Sequence, residues 1–192
     1  MKNYLQPVSL DHAYLLFNLG ATSLVSASHQ ADEDVMPATW VCPLDLKPSK
    51  VTAVIDRTHY TRGLIEKSGY FALMLPGKGI IDQVMYLGTT SKNDEINKLE
   101  KSGSEFFYFP GFDIPMVRGC AAYAIFKVIP EEHNEKTYDL FIGECVGAWS
   151  DCRVCRNGHW SFDQENDSLR LLHYSAGGHF YTLGDSISPK KI

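Results

Sequence analysis

The 192-residue sequence predicts one mainly β domain with short helices: an antiparallel barrel, closed or partly closed, whose helices sit as insertions at the rim. Three observations lead there. Apolar, β-branched stretches recur at residues 21–28, 35–42, 50–55, 70–75, 117–129 and 138–149, each bounded by Gly, Pro, Asn or Asp. Helical periodicity is confined to short segments, whereas a doubly wound parallel sheet needs a helix after nearly every strand. No composition break, repeat or low-complexity run divides the chain, so residues 1–192 read as a single domain long enough to bury its own core.

Taken in order, the stretches at 21–28 and 35–42 are the first two strands. The third, 50–55, stops at Asp56, and a helical pattern begins at Tyr60 and runs to Ser68 with Leu64 and Ile65 on one face. The strand at 70–75 follows, then a helical turn at 80–87 and a second short helix at 93–101, with Ile96 and Leu99 inward among charges. The two long strands at 117–129 and 138–149 are separated by the charged run Pro130 to Thr137, read as a polar loop joining antiparallel neighbours in a hairpin. Residues 167–172 suit helix and strand equally.

Composition excludes several classes of function. A formal net charge of −5 and the lack of a concentrated basic patch argue against a nucleic-acid surface; Lys190-Lys191 is only a tail. Asn3, Gln6 and Pro7 interrupt what a signal peptide would keep apolar, and no window reaches membrane-spanning length, so a cytoplasmic protein without membrane partners is expected. The five cysteines, odd in number and scattered, suit a reducing compartment. Cys152-Arg-Val-Cys155 has metal or redox spacing and His159 lies near, but a tetrahedral site needs two more ligands and no second pair accompanies it. No metal is expected.

Three segments carry candidate chemistry. At the junction after residue 55, Arg57 offers a charged donor fork, and Thr58 and Thr61 place hydroxyls beside the unpaired N–H groups of the helix that follows, a cradle suited to phosphate. The same residues also suit a plain cap, with Thr58 capping and Arg57 paired to Asp56, and the segment alone leaves both open. Ala38, Thr39, Trp40 and Val41 put small residues beside a Trp, where backbone can approach a flat ligand or Trp40 can simply fill a core. Gly88, Thr90 and Ser91 precede the second helix and again suit binding or capping. His173 and His179 flank a glycine pair at a spacing that favours hydrogen bonding over metal. There is no Gly-x-Ser-x-Gly elbow, Walker loop or Gly-x-Gly-x-x-Gly motif, so hydrolytic, P-loop and Rossmann sites are not indicated.

Collectively the chain resembles the flavin reductase-like family, the FMN-binding split-barrel proteins that include flavoredoxins. The likeness rests on Ala38-Thr-Trp40, on Asp56-Arg-Thr-His-Tyr-Thr61 with Leu64-Ile-Glu-Lys-Ser-Gly-Tyr-Phe71, on Tyr86-Leu-Gly88 with Ser91, on Tyr138-Asp-Leu-Phe-Ile-Gly-Glu144 and on Leu172-His-Tyr174, and it spans nearly the whole chain in order. It implies an antiparallel split β-barrel and a homodimer with one FMN per subunit. By that resemblance Ala38 to Val41 line the isoalloxazine, Arg57 to Thr61 hold the ribityl phosphate, Gly88 to Ser91 (with Thr90) meet the ribityl chain or ring edge, and His173 with Tyr174 lie on the far side. Four positions depart from the family pattern: Asp34 and Met74 each stand for an Asn, and Lys92-Asn93 for a Gly-Arg pair. The implied activity is hydride transfer from NAD(P)H to FMN and onward to a downstream acceptor, with no catalytic side chain because the cofactor carries the chemistry. The alternative is a non-catalytic FMN carrier or redox partner.

Overall fold

Strand β5 (Tyr70–Pro76) shows why the apolar runs are continuous instead of alternating. Phe71 and Leu73 enter one core while Ala72 and Met74 enter another on the opposite face, as the two-residue period of a strand requires when both faces are covered. The computed structural model describes residues 20–156 and 159–189; the N-terminal stretch read above for a leader and the Lys190-Lys191 tail lie outside them.

Seven strands form one antiparallel sheet. β1 (Ser23–His29) and β2 (Asp32–Ala38) make a hairpin in register from Ser23 opposite Ala38 to His29 opposite Asp32, turning through Gln30 at φ 59°. β3 (Val41–Leu46) and β4 (Ser49–Val54) make a second hairpin. With β8 (Cys120–Ile129) and β9 (Leu140–Ser150), the spatial order is β2-β1-β5-β8-β9-β4-β3. The expected hairpin of the two long strands is present as β8 and β9.

That order contains the main architectural fact. β2 and β3 lie on opposite edges of the sheet, yet only Thr39 and Trp40 separate them in sequence. Three residue steps reach about 11 Å at most, so the sheet must curl until its two edges face each other. It is a barrel with an unladdered seam, and the seam is Ala38-Thr39-Trp40-Val41. The expected strand at 35–42 is therefore split by this crossing.

Helix α1 (Tyr60–Ser68) occupies the predicted span and ends at Gly69 in the left-handed conformation, φ 71°. It buries Leu64 and Ile65 among Val25, Ile55, Phe71 and Phe141 inside the barrel. α2 (Ile81–Thr89) sets Val84 and Leu87 into the second core with Leu24, Met74, Ile125 and Leu172. Gly88 lets α2 lie against β2: a Cβ there would stand 2.7 Å from Pro37 Cγ.

Several expectations need correction. The helix read at 93–101 is reduced to α3 (Lys98–Lys101). The long strand read at 117–129 is interrupted by Arg118 and Gly119 between β7 (Met116–Val117), which pairs with β6 (Phe106–Phe107), and β8. Gly119, at φ 90°, passes so close to Ile80 that a Cβ would collide. The polar loop at 130–137 is instead mostly helix, α4 (Glu132–Tyr138), which takes Tyr138 from the expected strand and ends at Asp139 in the left-handed region. α4 buries none of its residues, so it has no apolar stripe for a periodicity argument to find. Its stability comes from elsewhere: Arg62 Nη2 donates to Glu135 O at 2.8 Å and Arg57 Nη2 to Lys136 O at 2.9 Å, two cations on the negative end of the helix. The ambiguous stretch at 167–172 is a 3-10 turn (Asp167–Leu169) leading into β12 (Leu172–Tyr174), which pairs with β13 (Phe180–Thr182). The remaining pair, β10 (Cys155–Arg156) with β11 (His159–Trp160), follows β9.

Candidate functional site

The seam opens onto a cavity of about 570 Å³, a size typical of small-molecule sites. Ala38, Thr39 and Trp40 form one wall, α2 contributes Val84, Met85 and Gly88, Val54 and Tyr138 close the opposite side, and Tyr174 with Phe180 cover it from the β12–β13 ribbon. The walls are largely apolar and in part aromatic. Within them Thr22 Oγ1 is buried and, among the described residues, has no hydrogen-bond partner. A buried hydroxyl left unpaired costs free energy that a ligand acceptor or donor would recover.

A second chamber, about 260 Å³, shares Met36, Pro37, His59, Gly88 and Thr89 with the first. Its chemistry is different. Thr58, Thr61, Thr90 and Ser91 supply hydroxyls, and Lys92 and Lys98 supply ammonium groups. The cations are held by the acidic start of β2. Lys98 Nζ pairs with Asp34 Oδ1 at 3.0 Å, both side chains 2% exposed, and Thr61 Oγ1 donates to Asp34 Oδ2 at 2.6 Å. Burial pushes the Lys98 ammonium below the ordinary lysine range, and Asp34 pulls it part of the way back. Lys92 Nζ donates to Asp32 Oδ1 at 2.7 Å and to Glu33 O at 2.6 Å. Burial raises the Asp32 carboxyl, but hydrogen bonds from Lys92 and Tyr60 outweigh it and hold the group below the usual carboxylate range.

The anion cradle read at residues 57–61 is rearranged by folding. Arg57 does not line either space; it borders an adjoining groove, where it pairs with Asp139 (3.2 Å) and donates to Lys136 O at the end of α4, and not with Asp56. Thr58 does not cap α1, whose N-cap is His59 without a side-chain bond. Thr58 N and Oγ1 both donate to Asp56 Oδ1, at 2.8 and 2.7 Å, which lowers the Asp56 carboxyl. Arg62, which sequence reading passed over, is a buried arginine: it bonds Ile55 O, Asp139 and Glu66 and lies over the Phe141 ring.

Of the sequence candidates, the structure thus brings Ala38, Thr39, Trp40, Gly88 and Tyr174 to the cavity and Thr58, Thr61, Gly88, Thr90 and Ser91 to the chamber. Val41, Arg57 and His173 line neither; His173 sits in β12 opposite Tyr181 and bridges to Ala21. Residues not foreseen are Thr22, Lys92 and Lys98, whereas His59 lies within the 57–61 segment that the resemblance gave to the phosphate. One signal was present: Asp32-Glu33-Asp34 is an acidic run inside a strand, and buried carboxylates must find cations.

Residues 16–174 match the model of the flavin reductase like domain. The chain belongs to the flavin reductase-like family. Among solved structures, the FMN-binding domain of a flavin reductases-like enzyme from Shewanella baltica OS155 is 44% identical, with a TM-score of 0.86 over 95% of this chain and 96% of that one. The flavoredoxin of Desulfovibrio vulgaris (Miyazaki F), at 19% identity, shares the fold, with a TM-score of 0.76 over 99% of this chain and 97% of that one. The uncharacterized protein YddH of Escherichia coli (strain K12) is 32% identical over 185 residues, 95% of this chain and 96% of its own. The barrel with its unladdered seam is accordingly the split barrel of this flavin reductase-like family. No helix among the described residues is long and apolar enough to cross a membrane.

Proposed function

We propose that the protein binds FMN across the seam and works as an NAD(P)H-dependent flavin reductase that passes electrons to a downstream acceptor. The observation that carries this reading is the pairing of two unlike spaces on one wall: an apolar cavity for a flat ring, and a hydroxyl- and ammonium-lined chamber for a phosphate. The residues fit the cofactor on two further counts. Thr22 Oγ1 is an orphaned polar atom inside the ring cavity, and Thr39 and Trp40 bring backbone and an aromatic face to the same wall. The 44% identity to an FMN-binding domain supports the choice of flavin.

When bound, FMN supplies the hydride-accepting ring. The chain's own residues bind and orient. Ala38 to Trp40 and α2 fix the plane, Thr22 offers a hydrogen bond, and Tyr174 and Phe180 limit water at the far side. Thr58, Ser91, Lys92 and Lys98 receive the phosphate, with Thr61 holding Asp34 in place behind Lys98. No side chain is required as nucleophile. We further propose a homodimer, because Trp40, Leu44, Leu46, Val146 and Trp149 leave apolar surface exposed around β3 and the outer half of β9.

The test is the absorption spectrum of the purified protein with FMN added, followed by anaerobic addition of NADH or NADPH. Uptake of the yellow cofactor and bleaching at catalytic rates are the expected results. A bound flavin that stays oxidised with both donors leaves a carrier; a protein that takes up no FMN overturns the reading.

A further inference from the structure

Cys152-Arg-Val-Cys155 is a motif that the flavin reading leaves unused, since neither cysteine lines the cavity or the chamber. It lies just past the end of β9, on a turn closed onto one carbonyl: Val154 N donates to Asp151 O at 3.1 Å and Cys155 N to the same oxygen at 2.9 Å. The second bond has the four-residue spacing of an α-helix, so Cys152 and Cys155 stand three residues apart on a single helical turn. Helical rise and radius put their Cα atoms about 5 Å apart, inside the roughly 4.4–6.8 Å that disulfides usually span. Both are free thiols, and they differ in access: Cys152 is exposed and Cys155 is buried. Beneath the turn Val154 is anchored among Ala121, Leu169 and Leu171, which fixes the backbone that carries the pair. Arg156 reaches back to Cys152 O with Nε at 2.7 Å and stands exposed beside the outer cysteine. Among the described residues no three His, Cys, Asp or Glu side chains converge to hold a metal ion, so His159 does not complete a metal site with the pair.

We propose that Cys152 and Cys155 are a reversible dithiol–disulfide site, oxidised by a small anionic disulfide of the glutathione kind. The inference is independent of the FMN reading. The Cys152 thiolate attacks one sulfur of the incoming disulfide, which releases one thiolate and leaves a mixed disulfide on the exposed residue. The Cys155 thiolate then attacks the Cys152 sulfur and expels the second small thiolate. The two protons given up by the cysteines pass to the two leaving thiolates, so the protein loses two electrons and the small disulfide gains them. The access of each cysteine fits its place in that order: the outer one meets a bulky reagent, and the inner one need reach no further than its neighbour on the turn. Arg156 gives the entry side a cation for the carboxylates of the reagent. In reducing surroundings the pair rests as thiols and closes when the disulfide pool rises.

The experiment uses the full-length chain carrying Cys42→Ser, which removes the other exposed cysteine. This reference chain is incubated with excess oxidised glutathione near neutral pH, quenched by alkylation and mapped by mass spectrometry after trypsin, which cuts after Arg153 and separates the two cysteines unless a disulfide joins them. Expected are the loss of two titratable thiols, no retained glutathione, and a linked pair of peptides carrying Cys152 and Cys155, all reversed by dithiothreitol. Added Cys155→Ser stops the reaction at the mixed disulfide and keeps glutathione on Cys152, whereas added Cys152→Ser slows the loss of thiol about tenfold or more. Glutathione retained on Cys152 of the reference chain, both cysteines recovered as thiols, or two chains joined through Cys152 overturns the proposal. The reference map decides the matter even where Cys155→Ser fails to fold, and a chain that binds no FMN can still give either result.

Discussion

Thr22 and Lys98 show how single side chains in this site trade stability against binding. Thr22→Val removes a buried hydroxyl that has no described partner, so the ligand-free protein should be as stable as the parent or up to about 1 kcal/mol more so. The same change should weaken FMN binding about tenfold, and urea midpoints with and without FMN check both signs at once. Lys98 behaves oppositely. Lys98→Met leaves the Asp34 carboxylate buried beside Thr61 with no cation, which should cost about 3–5 kcal/mol of unfolding free energy. Adding Asp34→Asn to that variant should restore most of the loss, because the expense lies in the unmatched charge and not in the missing contact; a double-mutant cycle by urea unfolding measures it.

At the scale of elements, the acidic start of β2 is tied to three separate segments. Tyr60 at the head of α1 donates to Asp32 Oδ2 at 2.5 Å, Lys92 after α2 reaches the same carboxylate, and Tyr108 donates to Glu33 Oε2 at 2.8 Å. The hydrogen bond to Asp32 and then burial push the Tyr60 phenol up to about 12 from its model-compound value of 10.0. A raised folded-state pKa means that stability is complete below about pH 10 and is lost as pH climbs through about 12. Tyr60→Phe should therefore cost about 0.5 kcal/mol at pH 8, the low end for a hydrogen bond because Asp32 is partly exposed, and the gap to the parent should close by pH 12. Unfolding midpoints at the two pH values test it.

These ties also explain what could and could not be read from the sequence. α1 was legible because its apolar pair, Leu64 and Ile65, and its terminal Gly69 are local signals. α4 was not, since it buries nothing and leans on Arg57 and Arg62, which lie more than seventy residues away in sequence. The site divides in the same way. Ala38 to Trp40 could be picked out as a compact run, and so could Gly88 to Ser91. The role of Lys92 and Lys98 depends on carboxylates about sixty residues earlier, and that of Arg57 on a helix about eighty residues later, so neither is visible in any window of the chain.

For the whole molecule, the two-sided burial of β5 and β1 accounts for the fold, and the apolar residues left outside it account for the expected assembly. Trp40 is 53% exposed, Leu44 51% and Leu46 94%, all at or beside one sheet edge. A sheet edge this apolar invites a partner. Light scattering on the purified protein should give twice the 21.6 kDa chain mass, and Leu46→Glu combined with Leu44→Glu should shift it to the single-chain value while the circular dichroism of the barrel persists.

The two residues that step from one sheet edge to the other also set a tolerance. Thr39 and Trp40 form a short tether, so at this point the lips of the barrel cannot part further than about 11 Å, the reach of three residue steps. One inserted glycine would lengthen the tether by about 3.5 Å, enough to admit a thicker guest and to loosen the grip on a flat one.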